Sequence, residues 1–553
     1  MRFNSTLVSL PAIASMRHLL GVALITGTLL ACSGCRLPAL CCAKPGPSLP
    51  ADFGGVTSVD NSAMLGIDEF FADPNLTQLI VEGIDRNQEL RIRNQEIRIA
   101  ANEIRARSGA YLPFVSAGLL GGFDKSSRYT PLGAAEDQLT FPVAGSFPDP
   151  LTNTRVEADL SWKIDIWREF RNARDAARQR YAKAIEARNY LITQIVAETA
   201  ENYYRLPALD KRLEFLNQTI EIQKQSLDVA IAQKEAGTGD ELAVQRFLAE
   251  VRKNESERSI VRQEIIETEN RINFLVGRYP QPVERTPWDV VGLGARVLNV
   301  GIPAELLQNR RDIRAAEREI AAAGLDVLVA RAHFYPSLDI RAGIGFEAFD
   351  PEFLFNPAAM IGGAAGELVA PVINRRAIQA EYLNANAEQL KAIYEYQQTV
   401  LNAFIEVVNR LNEVENYRQS VAIKQEQVAA LEQSVDAAGY LWQFVEGEYI
   451  DVLFSQRDLL EARIALLEDK QQQLSATVQA YQALGGGFLL DSSGTPLPEL
   501  FRGPLSYPSQ ELIFLPEEDE APREEEALPE VEPLPMSGPI SSRRTFDPEF
   551  SLD

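Results

Sequence analysis

The sequence predicts a mixed α/β membrane protein made of two similar halves, in which long antiparallel helical hairpins carry four amphipathic β-strands. Three observations lead there. Residues 155–166 alternate polar and apolar without an error, the period of a strand with one wet and one dry face. Residues 168–235 contain no glycine and a single proline, Pro207, and carry apolar residues at coiled-coil spacing. The stretch from Asn87 to Pro113 aligns with Arg310 to Pro336 at a constant offset of 223, which marks an internal repeat.

Composition narrows the function. The 553 residues carry 54 Lys and Arg against 78 Asp and Glu, a formal charge of −24. A nucleic-acid binder needs the opposite, basic footprint. A mean hydropathy of −0.15 excludes a bundle of many membrane helices. Two histidines and four cysteines leave little material for catalysis or metal binding.

The ends are distinct from the body. Arg2, Arg17 and His18 precede the 13 uncharged residues Leu19 to Ala31, so residues 1–31 read as an export signal, too short to span a membrane. All four cysteines follow within residues 32–42, so no disulfide framework reaches the body. Leu29-Leu30-Ala31-Cys32 has the form of a bacterial lipobox, with Cys32 as the lipidated residue and Cys35 as the second candidate. Residues 32–66 are then a lipid-anchored N-terminal segment, and a single acyl chain requires further membrane contact from the body. At the other end, residues 489–553 form a tail. Its last part, Glu511 to Asp553, holds 13 acidic residues, 3 arginines and 7 prolines and is expected to be disordered.

The repeat divides the body into 67–280 and 301–488, joined by the Pro- and Gly-rich linker 281–300. Each half reads as helix, strand pair, long helix and return helix. In the first half Val156, Ala158, Leu160, Trp162, Ile164 and Ile166 form the apolar face. Arg155, Glu157, Asp159, Ser161, Lys163 and Asp165 form the polar face. In the second half Leu338, Ile340, Ala342, Ile344 and Phe346 oppose Ser337, Asp339, Arg341 and Glu347. Weaker partner strands lie at 114–123 and 360–369. The apolar face is uncharged over about 12 residues, enough for a tilted spanning strand, and the polar face carries both signs, as a water-filled lumen tolerates. Arg155, Glu157, Asp159, Lys163, Asp339, Arg341 and Glu347 are the candidate lumen residues. Four strands cannot close a wide barrel, and open edges are forbidden in lipid, so several identical chains must each donate four.

Helices account for the rest. Residues 168–235 make a rod on the order of 100 Å at 1.5 Å per residue, and 375–446 make its counterpart. Pro207 should kink the first. Leu213, Leu216, Ile220 and Leu227, then Val428, Leu431, Val435, Ala438, Trp442 and Val445, follow heptad spacing. Leu453, Leu460, Leu467, Leu474 and Tyr481 recur at every seventh position. Such stripes predict coiled-coil packing of antiparallel pairs. The hairpin turns are short and polar: Gly237, Asp240 and Glu241 in the first, Glu446, Gly447, Glu448 and Asp451 in the second. No P-loop, nucleophile elbow or zinc motif is present, and the glycines at 292–294 and 362–366 lack the strand–helix frame of a nucleotide loop. His333 stands alone at a helix-to-strand junction. No cofactor, metal site or catalytic residue is expected.

These pieces resemble the TolC-like outer-membrane efflux factors, in particular their lipoprotein branch. Leu160-Ser161-Trp162-Lys163-Ile164-Asp165-Ile166-Trp167 resembles the second strand of that family and its entry into the long helix. Gly301 to Leu307 with Arg310-Arg311-Asp312-Ile313-Arg314-Ala315-Ala316-Glu317 resembles its most recognisable motif. Phe334-Tyr335-Pro336-Ser337-Leu338 resembles its third-strand entry, and Ala483 to Gly487 its terminal motif. The resemblance covers 67–488. It implies a homotrimer with a 12-stranded barrel in the outer membrane and an α-helical tunnel across the periplasm. The tunnel's closed end opens when periplasmic adaptors of an inner-membrane pump, of RND or ABC type, dock at the hairpin tips. Gly237, Asp240, Glu241, Glu446, Gly447, Glu448 and Asp451 are then the aperture and adaptor-contact residues. Ser33 after Cys32 resembles outer-membrane-sorted lipoproteins. The acids near Gly447 depart from the family's usual aspartate spacing. The alternative is a periplasmic coiled-coil scaffold or adaptor lipoprotein without a membrane barrel, although adaptors carry one hairpin flanked by β-barrel and lipoyl-like domains, and two hairpins with strands between them are read here.

Overall fold

The computed structural model describes residues 37–141, 145–146, 148–286, 298–373, 375–444, 448–490 and 496. Cys32, Cys35, Glu446, Gly447 and the acidic stretch 511–553 lie outside them.

Two short helices, α1 (Ile67–Phe71) and α2 (Pro74–Arg86), lead into α3 (Gln88–Gly109). Strands β1 (Phe114–Asp124) and β2 (Leu151–Ile164) follow, then the long helix α4 (Glu169–Glu235) and the return helix α5 (Glu241–Val276). The second half repeats that order: α6 (Arg311–Ala332), β3 (Ser337–Ala348), β4 (Met360–Val369), α7 (Arg376–Phe444) and α8 (Tyr449–Ala483). Both strands expected in each half and both hairpins are present. The β1–β2 connection contains what patterning missed: a helical turn, Pro131–Glu136, and a two-residue hairpin, Thr140–Phe141 with Gly145–Ser146.

The four strands form one antiparallel sheet in the order β1–β2–β3–β4. Strand β2 starts earlier and stops sooner than its alternation suggests. Asp165, the last polar member of that alternation, leaves the sheet and accepts hydrogen bonds from the amides of Phe170 and Arg171 at 3.1 Å each. Its carboxylate thereby caps the N-terminus of α4 from a distance, where the helix dipole favours negative charge. Arg168 sits between them in the left-handed region, φ 62°.

Helix α4 runs unbroken through Pro207. Its seam is the predicted stripe: Leu216 and Ile220 are buried, as are Leu453, Leu460, Leu467, Leu474 and Tyr481 of α8. The largest apolar cluster lies where α1 and α2 pack on the middle of α4 and the ends of α5 and α8. There Phe70 stacks on Tyr481 with ring centroids 3.8 Å apart, and the Tyr481 hydroxyl donates to the Leu65 carbonyl.

The repeat is also a repeat of contacts. Asn87 caps α3 and donates through Nδ2 to the Leu275 carbonyl at the end of α5, 2.9 Å. Its counterpart Arg310 donates to the Ala483 carbonyl at the end of α8, 3.0 Å, while it pairs with Asp312 and Glu406 at 2.7 Å each. Each return helix then stops at a left-handed glycine, Gly277 (φ +75°) or Gly485 (φ +98°). These glycines press on equivalent backbone: a Cβ on Gly277 would meet the Arg86 carbonyl oxygen at 2.5 Å, and one on Gly485 would meet Asn309 at 2.9 Å.

Gly277→Ala and Gly485→Ala therefore face a backbone clash in addition to the roughly 1 kcal/mol of an unfavourable left-handed residue. Gly237→Ala, with the same backbone sign but open space around it, meets only the latter. Thermal unfolding should rank both closing-glycine variants clearly below Gly237→Ala. Equal melting temperatures for all three would remove the packing role.

Candidate functional site: the strand sheet, its junction and the hairpin tips

The register of the sheet sorts its side chains onto two faces. Val156 lies opposite Phe346, Leu160 opposite Ala342, Trp162 opposite Ile340 and Ile164 opposite Leu338. On the other face Arg155 lies opposite Glu347, Ser161 opposite Arg341 and Lys163 opposite Asp339. All seven candidate lumen residues thus share one face. With Glu367 beside Asp339 and Asp124 opposite Leu151, that face holds three cations and six carboxylates. The ion pairs are not the cross-strand ones. Arg155 turns along its own strand to Glu157, 2.8 Å, and Lys163 leaves the sheet for Glu169, 2.9 Å. Asn153 donates to Glu347 at 3.1 Å. Glycines flank the central acids: Glu157 lies between Gly118 and Gly345, and Asp159 lies opposite Gly343.

The apolar face has aromatic ends. At the helical end Trp162 donates its indole N–H to the Tyr111 carbonyl, 3.0 Å. Trp167 donates to the Pro336 carbonyl, 2.8 Å, and stacks on Tyr335 at 4.6 Å. At the loop end lie Phe123 and the Phe346–Phe355 pair. The tryptophans have one dry and one wet side, and aromatic rings at both ends of an apolar band are the arrangement of membrane interfaces. No helix among the described residues is long and apolar enough to cross a membrane. Strands β1 and β4 each pair on one side only.

Where sheet meets helices, His333 bridges two carboxylates: Nδ1 lies 2.9 Å from Glu381 and Nε2 lies 3.4 Å from Glu169, which also holds Lys163. The contact with Glu169 is the largest influence on His333. Together with Glu381 it outweighs burial and pushes the imidazolium up to about 9. Burial works against the charge of Glu169, yet His333 and Lys163 hold its carboxyl below the usual range. His333 therefore stays a fixed cation tying β2, α4, α6 and α7 together at neutral pH. Its partners are 48 residues or more from it in sequence, so no local pattern announces the cluster. Among the described residues no group of His, Cys, Asp and Glu could hold a metal ion.

The N-terminal segment also lies at this level. Leu37 and Leu40 pack against Phe334 and Tyr382. The Cys41 amide donates to buried Asn386, 3.1 Å, and Lys44 is held by Tyr394 and Gln397. The segment runs along α7, so its N-terminal end points toward the sheet.

The two hairpin tips differ in how they use their acids. In the first, Gly237 adopts φ +76° and the amides of Thr238 and Gly239 both reach the Gln233 carbonyl. Asp240 caps α5 through the Ala243 amide, 2.8 Å. Glu241 pairs with Lys234, and this contact, helped by Gln245, holds its carboxyl below the usual range. In the second, Glu448 occupies the N-cap position of α8 without a side-chain capping bond. Glu448 and Asp451 are exposed, and their carboxylates have no partner among the described residues. An apolar cluster ties the tips together: Ala230, Ala243 and Phe247 of the first hairpin pack with Trp442, Val452 and Leu453 of the second. Phe247 and Trp442 have ring centroids 5.6 Å apart.

A sheet that is apolar outside, charged inside and open at both edges, set on two helical hairpins, defines a class: a chain that builds a membrane barrel and a helical tunnel with copies of itself. The chain belongs to the outer membrane efflux protein family, whose model matches residues 79–278 and 302–486. Curated relatives include the cation efflux system protein CusC of Escherichia coli O6:H1, 25% identical over 83% of this chain and 97% of its own length. The solvent efflux pump outer membrane protein SrpC of Pseudomonas putida is 26% identical over 76% of this chain and 87% of its own. Among solved structures, CusC superposes with a TM-score of 0.70 at 22% identity, covering 80% of this chain and all of that one. The open state of the Neisseria gonorrhoeae MtrE outer membrane channel gives 0.70 at 20% identity, over 83% of this chain and 99% of that one. Channels of this family are trimers that work with adaptors and inner-membrane pumps. Membership places the sheet in the outer membrane and the hairpins in the periplasm, which sets aside the scaffold reading. The relatives are channels rather than enzymes.

The raised pKa of His333 fixes a pH dependence. Its protonation stabilises the junction fully below about 6.5, the value of a free histidine. The contribution falls as pH rises through about 9. Melting temperatures followed from pH 6 to 10 should decline over that window in the unaltered protein and lose this component in His333→Gln. A decline of the same size in His333→Gln would exclude His333 as its source.

Proposed function

We propose that three copies of this chain form the passive exit duct of a tripartite efflux or type I secretion system, gated at the hairpin tips. The observation that carries the reading is the sheet: two unpaired edge strands, one apolar face with aromatic ends, and one face of mixed charge. Pairing β4 of one copy with β1 of the next gives 12 strands and leaves no edge in lipid. Helix α7 supports the same assembly. Its exposed residues Leu383, Tyr394, Leu401, Ile405, Ile423 and Leu441 recur close to whole numbers of helical turns. That stripe suits burial against a neighbouring copy.

Cys32, or Cys35 as second candidate, carries the lipid, and the segment 37–50 lying along α7 delivers it to the membrane end of the helices. The chain does no chemistry and binds no cofactor. Energy comes from an inner-membrane pump of RND or ABC type, linked by a periplasmic adaptor at the tips. Gly237 shapes the first turn for that contact, while Asp240 and Glu241 maintain its form. Glu446, Gly447, Glu448 and Asp451 belong to the aperture, where free carboxylates favour cations and hold them. The barrel face, with more carboxylates than cations, has the same preference.

Reconstitution in planar bilayers tests the duct. The protein should conduct and resist extraction by carbonate or urea; release by either, with no conductance, would refute a barrel. Replacing Glu446, Glu448 and Asp451 together by alanine should raise conductance and weaken block by divalent cations severalfold. Unaltered conductance and block would remove these residues from the aperture.

A further inference from the structure

The seam between the two hairpins contains a defect. Along α8, Leu453 belongs to the tip cluster and Leu460 to a second apolar cluster with Leu209, Leu216 and Val261. Gln456 takes the seam position between them and is only 7% exposed. It meets Ser226 of α4; Ser226, Gln223 one turn before it and Asn254 of α5 are buried too, so a layer of polar residues interrupts the apolar seam. Asn254 donates to Gln223 at 2.8 Å. Gln456 makes one long bond, donating through Nε2 to the Ser226 hydroxyl at 3.3 Å. Its Oε1 is buried without a hydrogen-bond partner among the described residues. Beside the layer a cavity of about 170 Å³ lies between α5 and α8, lined by Asn254 and Leu460 with Lys253, Glu257 and Glu461 among its charged walls.

We propose that this layer is a built-in weak point that keeps the packing of the second hairpin on the first near balance. A buried acceptor without a partner destabilises whatever packing buries it, and separation relieves it once water arrives. The apolar clusters on either side favour closure; the polar layer and its cavity oppose it. A polar residue in a coiled-coil seam also fixes register at a cost in stability. The helices stay aligned while an adaptor needs to do little work to part them. This inference rests on the gated-duct reading and assigns Gln456 a positioning role within it.

The experiment uses the full-length protein in planar bilayers, with thermal unfolding measured in parallel. Gln456→Leu fills the same position with no polar atom. It should open about tenfold less often and unfold at a higher temperature. Gln456→Leu with Ser226→Ala should move both readouts in the same direction. Gln456→Met, closer in shape, is read the same way if the leucine variant does not assemble. Opening at or above the frequency of the unaltered protein, in whichever variant assembles, overturns the proposal. A change in melting temperature alone, with gating unaltered, also overturns it, because it leaves Gln456 a merely structural residue. An unaltered protein that never conducts refutes the duct reading itself, a result distinct from either.

Discussion

The form of the sheet follows from one constraint: a backbone amide or carbonyl facing hydrocarbon must have a hydrogen-bond partner. Strands β1 and β4 each leave one side unpaired, over eleven and ten residues respectively. Each unmet group in lipid costs several kcal/mol, so a single copy cannot be stable in a membrane. The sheet is therefore an incomplete object whose form specifies more copies of itself. The exposed apolar stripe of α7 extends the same demand along the helical part.

The internal repeat shows how one architecture was kept while its chemistry diverged. Asn87 and Arg310 stand at equivalent positions and hold the last carbonyls of equivalent helices, Leu275 and Ala483. Asparagine does so as a neutral cap. Arginine does so as a buried cation, 5% exposed, which needs Asp312 and Glu406 beside it because an unpaired buried charge is untenable. The hairpin tips diverge in the same way. The first directs its acids to capping and an internal ion pair, and so maintains a fixed shape. The second leaves Glu448 and Asp451 exposed, with no carboxylate partner among the described residues. The two are joined by the aromatic contact of Phe247 and Trp442 and, further up, by the imperfect layer around Gln456.

Much of this was legible along the chain because it is periodic. Two-residue alternation gave both faces of β2 and β3, heptads gave the seams of α4 and α8, and the offset of 223 gave the second half once the first was read. The misreadings occur where a residue leaves its period. Asp165 continues the alternation of β2 in sequence, yet its carboxylate serves the N-terminus of α4. What Asp240 and Glu241 do within the tip follows no period either: one caps a helix and the other pairs with Lys234.

The sequence alone determined the fold class, the four strands, the two hairpins and the need for several copies, because hydrophobic periodicity and the bilayer leave few other solutions. Only the tertiary structure decided what brings distant residues together. His333 is held as a cation at neutral pH by Glu169 and Glu381, the N-terminal segment lies along α7, and Gln456 meets Ser226 across 230 residues. Such contacts depend on how helices pack, and packing leaves no period in the chain.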